Sequence, residues 1–478
     1  MPLPKTGRSG PQVFADLEAA SGRDLNWRSG GTFAYTYHGG DDVEAVAKHA
    51  YMRFLTENAL DPTVYPSLLK FENDIVEIAR AHLGGGAEAA GSFTSGGTES
   101  CMLSVKTARD FARATRPEIV EPEVILPATA HAAFHKACHY FHVKPVIVPV
   151  DTRSFRADPQ AIRAAISPRT ILIVASAPSY AHGVLDPIEA IGAIAREHDI
   201  LFHVDACIGG FLLPFFRKLG RAIPPFDLSV AGVTSISMDF HKYAYCPKGA
   251  SVVLYKSAEL RRHQIFACSS WTGYSIVNTT MQSSKSGGPV AACWAVLNYL
   301  GEDGYLNLAR RTLEATNIIL RGLNSIPELR VLGAPDSSLI AFASDEVNVF
   351  SIIDEMRARK WYVQPQLSFM GSPKNVHLTV RHDNLEGAPQ MIEDLKASVA
   401  AAKAKGRPKI PADLRIAASQ LTPEGFTLAR FQGMMAQAGG EGTAPLNEIL
   451  DALQPAVREL ALVHFMSHLY RPRDSATS

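Results

Sequence analysis

Across residues 124–254 the chain alternates short apolar runs with stretches of helical periodicity, and no other feature constrains the fold as tightly. The candidate strands are 124–126, 146–149, 170–175, 201–204, 229–236 and 251–255. The candidate helices between them are 133–141, 159–166 and 188–198. Strands interleaved with helices argue an α/β fold with a large, mostly parallel sheet. Sheets of this kind bind ligands beyond the carboxyl ends of their strands. Asp205 and Lys242 both fall at such ends, and so does the start of the segment around His131.

The two strand ends carry complementary chemistry. One run closes in His203-Val204-Asp205-Ala206, and the next leads into SISMDFHKYAYCPKG at 235–249, with Lys242 after His241 and Lys248 six residues on. An acid at one strand end and a lysine at the next can hold a pyridine ring between them. The carboxylate faces the ring nitrogen and the amine reaches an aldehyde, which is how proteins use pyridoxal 5′-phosphate as an electron sink. A lysine that attacks an aldehyde needs some neutral amine, and burial or a second cation lowers its pKa. Lys248 is placed to supply that second charge, or to bind an anionic part of a substrate. The structural alternatives are a surface Lys242 and an Asp205 that caps the next helix. His203 and Cys207 flank Asp205; His203 is grouped with the cofactor-side residues, the alternative being that both pack around the acid.

A third element precedes these. The loop Gly-Ser-Phe-Thr-Ser-Gly-Gly-Thr-Glu-Ser at 91–100 feeds a helical stretch reaching about residue 114. A Gly/Ser/Thr loop at a helix start collects backbone N–H groups at the positive end of the dipole, so it is either a phosphate site around Gly97 and Thr98 or an ordinary capped loop. His131, His135 and His139 stand four apart on one helix face, with His142 following. They could ligate zinc; against that, no His-Glu-x-x-His pattern accompanies them, and one histidine at the start of this element suffices to stack on a cofactor ring.

The remainder frames this centre. Residues 1–40 read as an arm that lies on another surface, such as a second subunit's, followed by a helix from Asp41 to about residue 59, a break at Asp61-Pro62, and a helix over 67–83. Helical patterns at 290–300 and 306–323 precede a small α/β unit with strands at 330–332, 339–343 and 376–380 and a helix at 352–359. Residues 401–410 read as a basic linker, and 411–478 as two or three amphipathic helices. The expected division is an arm and helix at 1–60, a large cofactor domain at 61–305, a small C-terminal domain at 306–400, and a linker with helical tail at 401–478. With 47 basic and 47 acidic side chains the net charge is zero, which removes a bulk electrostatic case for nucleic acid or an anionic membrane. Six cysteines without a C-x-x-C pair suggest reduced thiols. No run of about twenty apolar residues is present, so no transmembrane helix is expected. The N-terminal residues show no signal-peptide pattern, and the expected location is cytoplasmic.

Taken together, HVDACIGGF, SISMDFHKYAYCPKGAS, FTSGGTES, PATAHAAFHKA and WRSGGTFAYTYHGG resemble the sphingosine-1-phosphate lyase family. That family is a branch of the group II decarboxylases among the fold-type I pyridoxal-phosphate enzymes. The resemblance covers roughly residues 25–385. It implies a homodimer with active sites at the subunit interface and a lipid phosphate as substrate. It implies Lys242 as the lysine bound to the cofactor, Asp205 as the partner of the pyridine nitrogen, and His131 as the stacking histidine. Gly97 and Thr98 match the phosphate loop, and Ser284 a serine reaching the cofactor phosphate of the neighbouring subunit. Tyr37 and Lys248 match the substrate-phosphate pocket, and Tyr180 an active-site tyrosine. Lys248, Tyr180 and His241 are the candidate bases for the substrate hydroxyl, and the sequence does not choose among them.

Two positions depart from the family. Lys285 stands for an arginine, and Asp61 stands where the family carries a phosphate-holding histidine. A carboxylate at 61 repels an anion, so the phosphate shifts toward Lys248 and Tyr37, or Asp61 turns away, or the substrate differs. The implied reaction is cleavage of C2–C3 in a phosphorylated sphingoid base to a fatty aldehyde and phosphoethanolamine. The rival readings are an amino-acid decarboxylase with the same cofactor and a non-enzymatic zinc or scaffold protein.

Overall fold

A computed structural model describes residues 3–408, 410–439 and 442–471. The arm contains a helix, α1 (Gly10–Ser21), with no buried residue. Helices α2 (Asp41–Arg53) and α3 (Pro66–His82) follow. The large sheet then builds from β1 (Ala90–Thr94), β2 (Glu123–Pro127), β3 (Lys144–Val148), β4 (Thr170–Ser176), β5 (Leu201–Asp205), β6 (Ser235–Asp239) and β7 (Ser251–Tyr255). Between them run α4 (Gly97–Thr115), α5 (Ala132–Phe141), α6 (Pro159–Ala165), α7 (Ile188–Glu197) and α8 (Leu212–Lys218).

The spatial order is β1-β7-β6-β5-β4-β2-β3. Strands β3, β2, β4, β5 and β6 are parallel, while β7 runs antiparallel to β6 and β1 antiparallel to β7. The central strands read as unbroken apolar runs because both of their faces are covered. Val124 and Leu126 of β2 pack with Phe134 and Ala137 of α5 on one face. Ile125, Ile173, Phe202 and Ile236 point the other way into the larger core.

Several boundaries differ from the sequence expectation for identifiable reasons. Strand β6 starts at Ser235 rather than 229 because the chain turns at Gly232 (φ 102°), where a Cβ would lie 2.1 Å from the Gly192 carbonyl oxygen. The first half of the Gly/Ser/Thr loop is strand β1, whose Gly91 lets Leu254 and the Val253 carbonyl approach closely. Helix α2 stops at Arg53, short of residue 59.

After β7 come α9 (Ala258–Arg261) and the hairpin β8 (Phe266–Cys268) with β9 (Ile276–Asn278). The two helical patterns after residue 287 join as α10 (Gly287–Asn324), kinked at Gly301, whose φ is 54°. The second sheet orders β10 (Arg330–Val331), β11 (Leu339–Ala343), β13 (Asn375–Thr379) and β12 (Gln364–Gln366), all antiparallel. Helices α11 (Val349–Ala358) and α12 (Ala388–Lys405) pack on it. The expected linker at 401–410 is shorter, since α12 continues to Lys405. Among its described residues the tail holds four helices rather than two or three: α13 (Ala412–Ser419), α14 (Leu428–Ala438), α15 (Ala444–Ala452) and α16 (Pro455–Leu469), which share a small core of their own. The tail's last residues, 472–478, lie outside the described residues. Among the described residues no helix is long and apolar enough to cross a membrane.

Candidate active site

A cavity of about 370 Å³ opens at the carboxyl ends of the central strands. Gly97, Thr98, His131, Tyr180, Asp205 and Lys242 line it, together with Asp239 and His241. Five separate elements therefore deliver the expected set to one place.

Lys242 sits in the turn after β6, and its ammonium lies 2.9 Å from Asp239 Oδ2. Asp239, three residues earlier, is buried, and its Oδ1 has no partner. Burial disfavours the charged amine, but the Asp239 carboxylate outweighs it, so the Lys242 pKa is raised rather than lowered. This reverses the sequence expectation of a depressed lysine. Burial works against the Asp239 charge too, yet Lys242 and then His241 hold its pKa below the ordinary value. The pattern Asp-Phe-His-Lys, an acid three before the lysine, was the available signal for this pair.

Asp205 closes β5. Its Oδ1 accepts the Cys207 amide at 3.1 Å and the Ser237 hydroxyl at a long 3.5 Å. No donor among the described residues reaches its other oxygen, which is left for a ligand in the cavity. His203, two residues earlier on β5, does not line the cavity. It is buried beneath, with Nδ1 2.8 Å from the Ser235 hydroxyl and Nε2 3.2 Å from that of Ser237. Burial lowers its pKa to about 4, so it is neutral. It supports the serine that touches Asp205 and reaches no ligand.

The helix α4 points its first turn into the cavity. The first amides of a helix have no acceptor within it. Here these belong to Gly97 and its neighbours, and a Cβ on Gly97 would come within 2.9 Å of Asp239 and Cys207. Glu99 in the same turn also lines the cavity, but its carboxylate is engaged: it accepts the amides of Ser95 at 2.6 Å and Met281 at 2.8 Å. His131 caps α5, its Nδ1 accepting the Ala133 amide at 3.2 Å, and its ring stands exposed at the cavity edge, edge-on to Tyr180 at 6.4 Å. The residues thus present a free acid oxygen, an amine, a flat imidazole and unpaired amides, a set that fits a pyridine ring bearing an aldehyde and a phosphate. His131, His135, His139 and His142 do not form a shared ligand set among the described residues, which disfavours the zinc reading.

The candidate bases separate by their hydrogen bonds. His241 Nδ1 accepts the Ala250 amide at 3.2 Å, which leaves the ring proton on Nε2, 3.5 Å from Asp239. Burial lowers its pKa, against the pull of Asp239. The Tyr180 hydroxyl donates to Gln364 Oε1 at 2.6 Å, its ring stacks on His377 at 4.5 Å, and burial raises its pKa. Lys248 donates to the His241 carbonyl at 3.2 Å and lies 4.8 Å over the Tyr37 ring. Lys248 is exposed at the surface, yet desolvation by burial, and then the charge of Lys242, hold its pKa down to about 8. Arg381, which the sequence pattern did not flag, is fully buried behind this group. Asp383 binds its Nε and one terminal nitrogen at 3.0 Å each, and the other terminal nitrogen has no partner.

Asp61 and Ser284 lie elsewhere. Both are exposed, and Asp61 lines a second cavity of about 570 Å³ with Ser283 and Lys285. Thr63 hydrogen bonds hold the Asp61 pKa below the ordinary carboxylate value. Lys285 is buried and spent within its own chain, donating to Glu72 at 2.6 Å and the Phe93 carbonyl at 3.0 Å.

The chain matches the pyridoxal-dependent decarboxylase conserved domain over residues 8–344, and residues 412–468 match "Pyridoxal-dependent enzyme, C-terminal putative HTH domain". It is 42% identical to the sphingosine-1-phosphate lyase of Oryza sativa subsp. japonica over 414 residues, 85% of this chain and 75% of that protein. Against sphingosine-1-phosphate lyase 1 of Rattus norvegicus the identity is 37%, covering 83% and 69%. The solved sphingosine-1-phosphate lyase of Burkholderia pseudomallei superposes with a TM-score of 0.81 at 36% identity, over 84% of this chain and 93% of that one. A glutamate decarboxylase of Lactobacillus brevis shares the fold, with a TM-score of 0.74 at 21% identity over 84% and 95% of the two chains.

Proposed function

The chain belongs to the pyridoxal-dependent decarboxylase family and, within it, to the sphingosine-1-phosphate lyases, and from that premise we propose that it cleaves phosphorylated sphingoid bases between C2 and C3, giving a long-chain fatty aldehyde and phosphoethanolamine. The observation that carries this reading is the Lys248–Tyr37 pair beside Lys242, a cation and a hydroxyl set apart from the cofactor's own phosphate cradle. Pyridoxal phosphate, when bound, supplies the electron sink that makes the C2–C3 bond breakable. Lys242 would hold its aldehyde and, once displaced by the substrate amine, would take the proton of the 3-hydroxyl and deliver it to C2. Asp205 would keep the ring nitrogen protonated, His131 would cover the ring, and the first turn of α4 with Gly97 and Thr98 would take the phosphate. Tyr37 and Lys248 hold the substrate phosphate, with Arg381 adding positive potential from behind. Asp61 does not line the Lys242 cavity of its own chain, so it does not oppose the phosphate held there. The Tyr180 hydroxyl gives its proton to Gln364, and the lone pair of His241 Nδ1 already takes the Ala250 amide, so both position the substrate rather than act as bases. Incubation of the loaded enzyme with sphingosine-1-phosphate is expected to yield aldehyde and phosphoethanolamine in equal amounts, with little from the unphosphorylated base. Carbon dioxide from an amino-acid panel, with no aldehyde from the lipid, would sink the proposal.

The role of Lys248 has a pH signature. As a cation for phosphate it must be protonated, so kcat/KM for the phosphorylated lipid is expected to fall as pH rises through about 8. Lys248→Arg, which stays charged, should move that limb to higher pH. A profile that instead rises through the same range would transfer Lys248 to the role of base.

The protein acts as a homodimer with shared sites in this reading. Val13, Phe14 and Leu17 of α1, and Phe266, Trp271, Tyr274 and Val277 around the β8–β9 hairpin, expose apolar side chains that a second subunit would cover. Ser284, exposed next to them, is thereby offered to the partner's cofactor phosphate. Ser284→Asp should abolish activity by charge repulsion. Mixing that variant with Lys242→Ala should restore about one quarter of the native rate, because half the dimers are hybrids with one intact site. No recovery after demonstrated subunit exchange would rule out sharing. Six free thiols support a cytoplasmic location, which cell fractionation would test: activity confined to the membrane pellet would refute it.

A further inference from the structure

The floor of the cofactor cavity holds two cysteines that the lyase reaction does not use. Cys101, on the second turn of α4, and Cys207, just after β5, face each other with their sulfurs 3.9 Å apart. Asp205 brings a carboxylate oxygen into the same cluster, with all three ligand atoms within 4.8 Å of one another. The three residues are 1%, 7% and 7% exposed for Cys101, Asp205 and Cys207, yet all line the cavity, so an entering ion meets them there.

The spacing selects among the chemistries open to two thiols. A disulfide requires its sulfurs at about 2.05 Å, so this pair would have to close by nearly half its separation. Two thiolates bound to one tetrahedral zinc ion at about 2.3 Å lie roughly 3.8 Å apart, which is the separation already present. A carboxylate oxygen completes three protein ligands and leaves a fourth position toward the cavity, the pattern of an open zinc site. We propose that Cys101, Cys207 and Asp205 form a site for a thiophilic divalent cation of the zinc class, and that cation and cofactor exclude each other. The exclusion rests on the assignment of Asp205 to the ring nitrogen. The Cys207 thiol now donates to the Ser237 hydroxyl at 3.2 Å. On binding, both thiols lose their protons to the buffer, two metal–sulfur bonds form, and no electrons move. The Lys242 ammonium, electrostatically close to Cys207, offsets part of the extra negative charge.

Cadmium is a suitable probe because its thiolate complexes absorb in the ultraviolet. Full-length protein freed of cofactor should bind one equivalent per chain with that absorbance and release of two protons. Cys101→Ala should weaken binding by more than the roughly 10–100-fold that loss of an outer-shell partner costs. The same variant, loaded with pyridoxal phosphate, should keep its activity, which shows that it is folded. Saturating pyridoxal phosphate should prevent cadmium binding to the native chain. Absence of the band, or a band undiminished in Cys101→Ala, overturns the site while leaving the lyase assignment intact. Cadmium held by the cysteines alongside bound cofactor overturns the exclusion, and with it the placement of Asp205 at the ring nitrogen.

Discussion

Lys242→Ala is expected to abolish covalent capture of pyridoxal phosphate and to lower turnover by about 10³-fold or more, within the range that a positioned proton-transfer group contributes and with loss of the covalent link added. The argument is geometric. Lys242 leaves the end of β6 and enters the cavity opposite Asp205, with its amine fixed by Asp239 at 2.9 Å. Removing it deletes both the group that binds the aldehyde and the one that carries the proton to C2. It also strands the Asp239 carboxylate, which is buried and already has one oxygen without a partner. Loss of one member of a buried pair destabilises by about 3–5 kcal/mol, so a fall in activity alone would not separate catalysis from folding. Lys242→Arg separates them, since a guanidinium keeps the Asp239 contact but cannot condense with the aldehyde. It should melt near the native temperature and remain inactive. Borohydride reduction of the native holoenzyme should leave the cofactor on the peptide containing Lys242. Recovery of the label on another peptide, or an active Lys242→Arg, would remove the basis of the mechanism.

Lys242, Asp205 and the Gly97 turn were legible in the sequence because parallel sheets gather chemistry at strand ends, and strand ends can be read from where apolar runs stop. Asp239 was harder to see. It lies inside a motif dominated by His241 and Lys242, and only the folded turn shows that an acid three residues back fixes the amine. His203 was misplaced for a reason of alternation: residues two apart share a face of a strand, but only the one at the tip reaches the cavity. Burial alone would lower the Lys242 pKa, but the sign of the shift depends on a partner that composition does not reveal. Strand β1 reads as a loop because Gly91 and Ser92 carry no apolar signal, and its pairing with β7 supplies what local sequence lacks. Asp61 and Ser284 belong to another surface of the chain, and no reading of one chain could have joined them to the Lys242 cavity.

Asp205→Asn should slow turnover by about 10²–10³-fold while leaving the cofactor attached, and that combination is the test of how the ring is held. Asparagine has nearly the same shape. Its carbonyl can still accept the Cys207 amide, now 3.1 Å from Oδ1, so the loop after β5 should keep its form. Its other terminus is an amide donor, where the native carboxylate presents an oxygen with no protein partner. A donor facing the ring nitrogen cannot stabilise a proton there, and the ring then accepts electrons poorly. Unpairing a charge in a site this enclosed costs about 3–5 kcal/mol, and each 1.36 kcal/mol is a factor of ten in rate. The prediction takes the lower part of that range because the cavity is open to water. Attachment should survive because Lys242 and the first turn of α4 act on the opposite end of the cofactor. The expected record is therefore a retained visible absorbance, a cofactor affinity reduced far less than kcat, and a kcat that Asp205→Glu fails to restore, since the longer acid would have to push into the ring. A kcat within about threefold of native in Asp205→Asn would mean that the carboxylate does not face the ring nitrogen. The polarity of the whole site, acid at β5 and amine after β6, would then have to be redrawn.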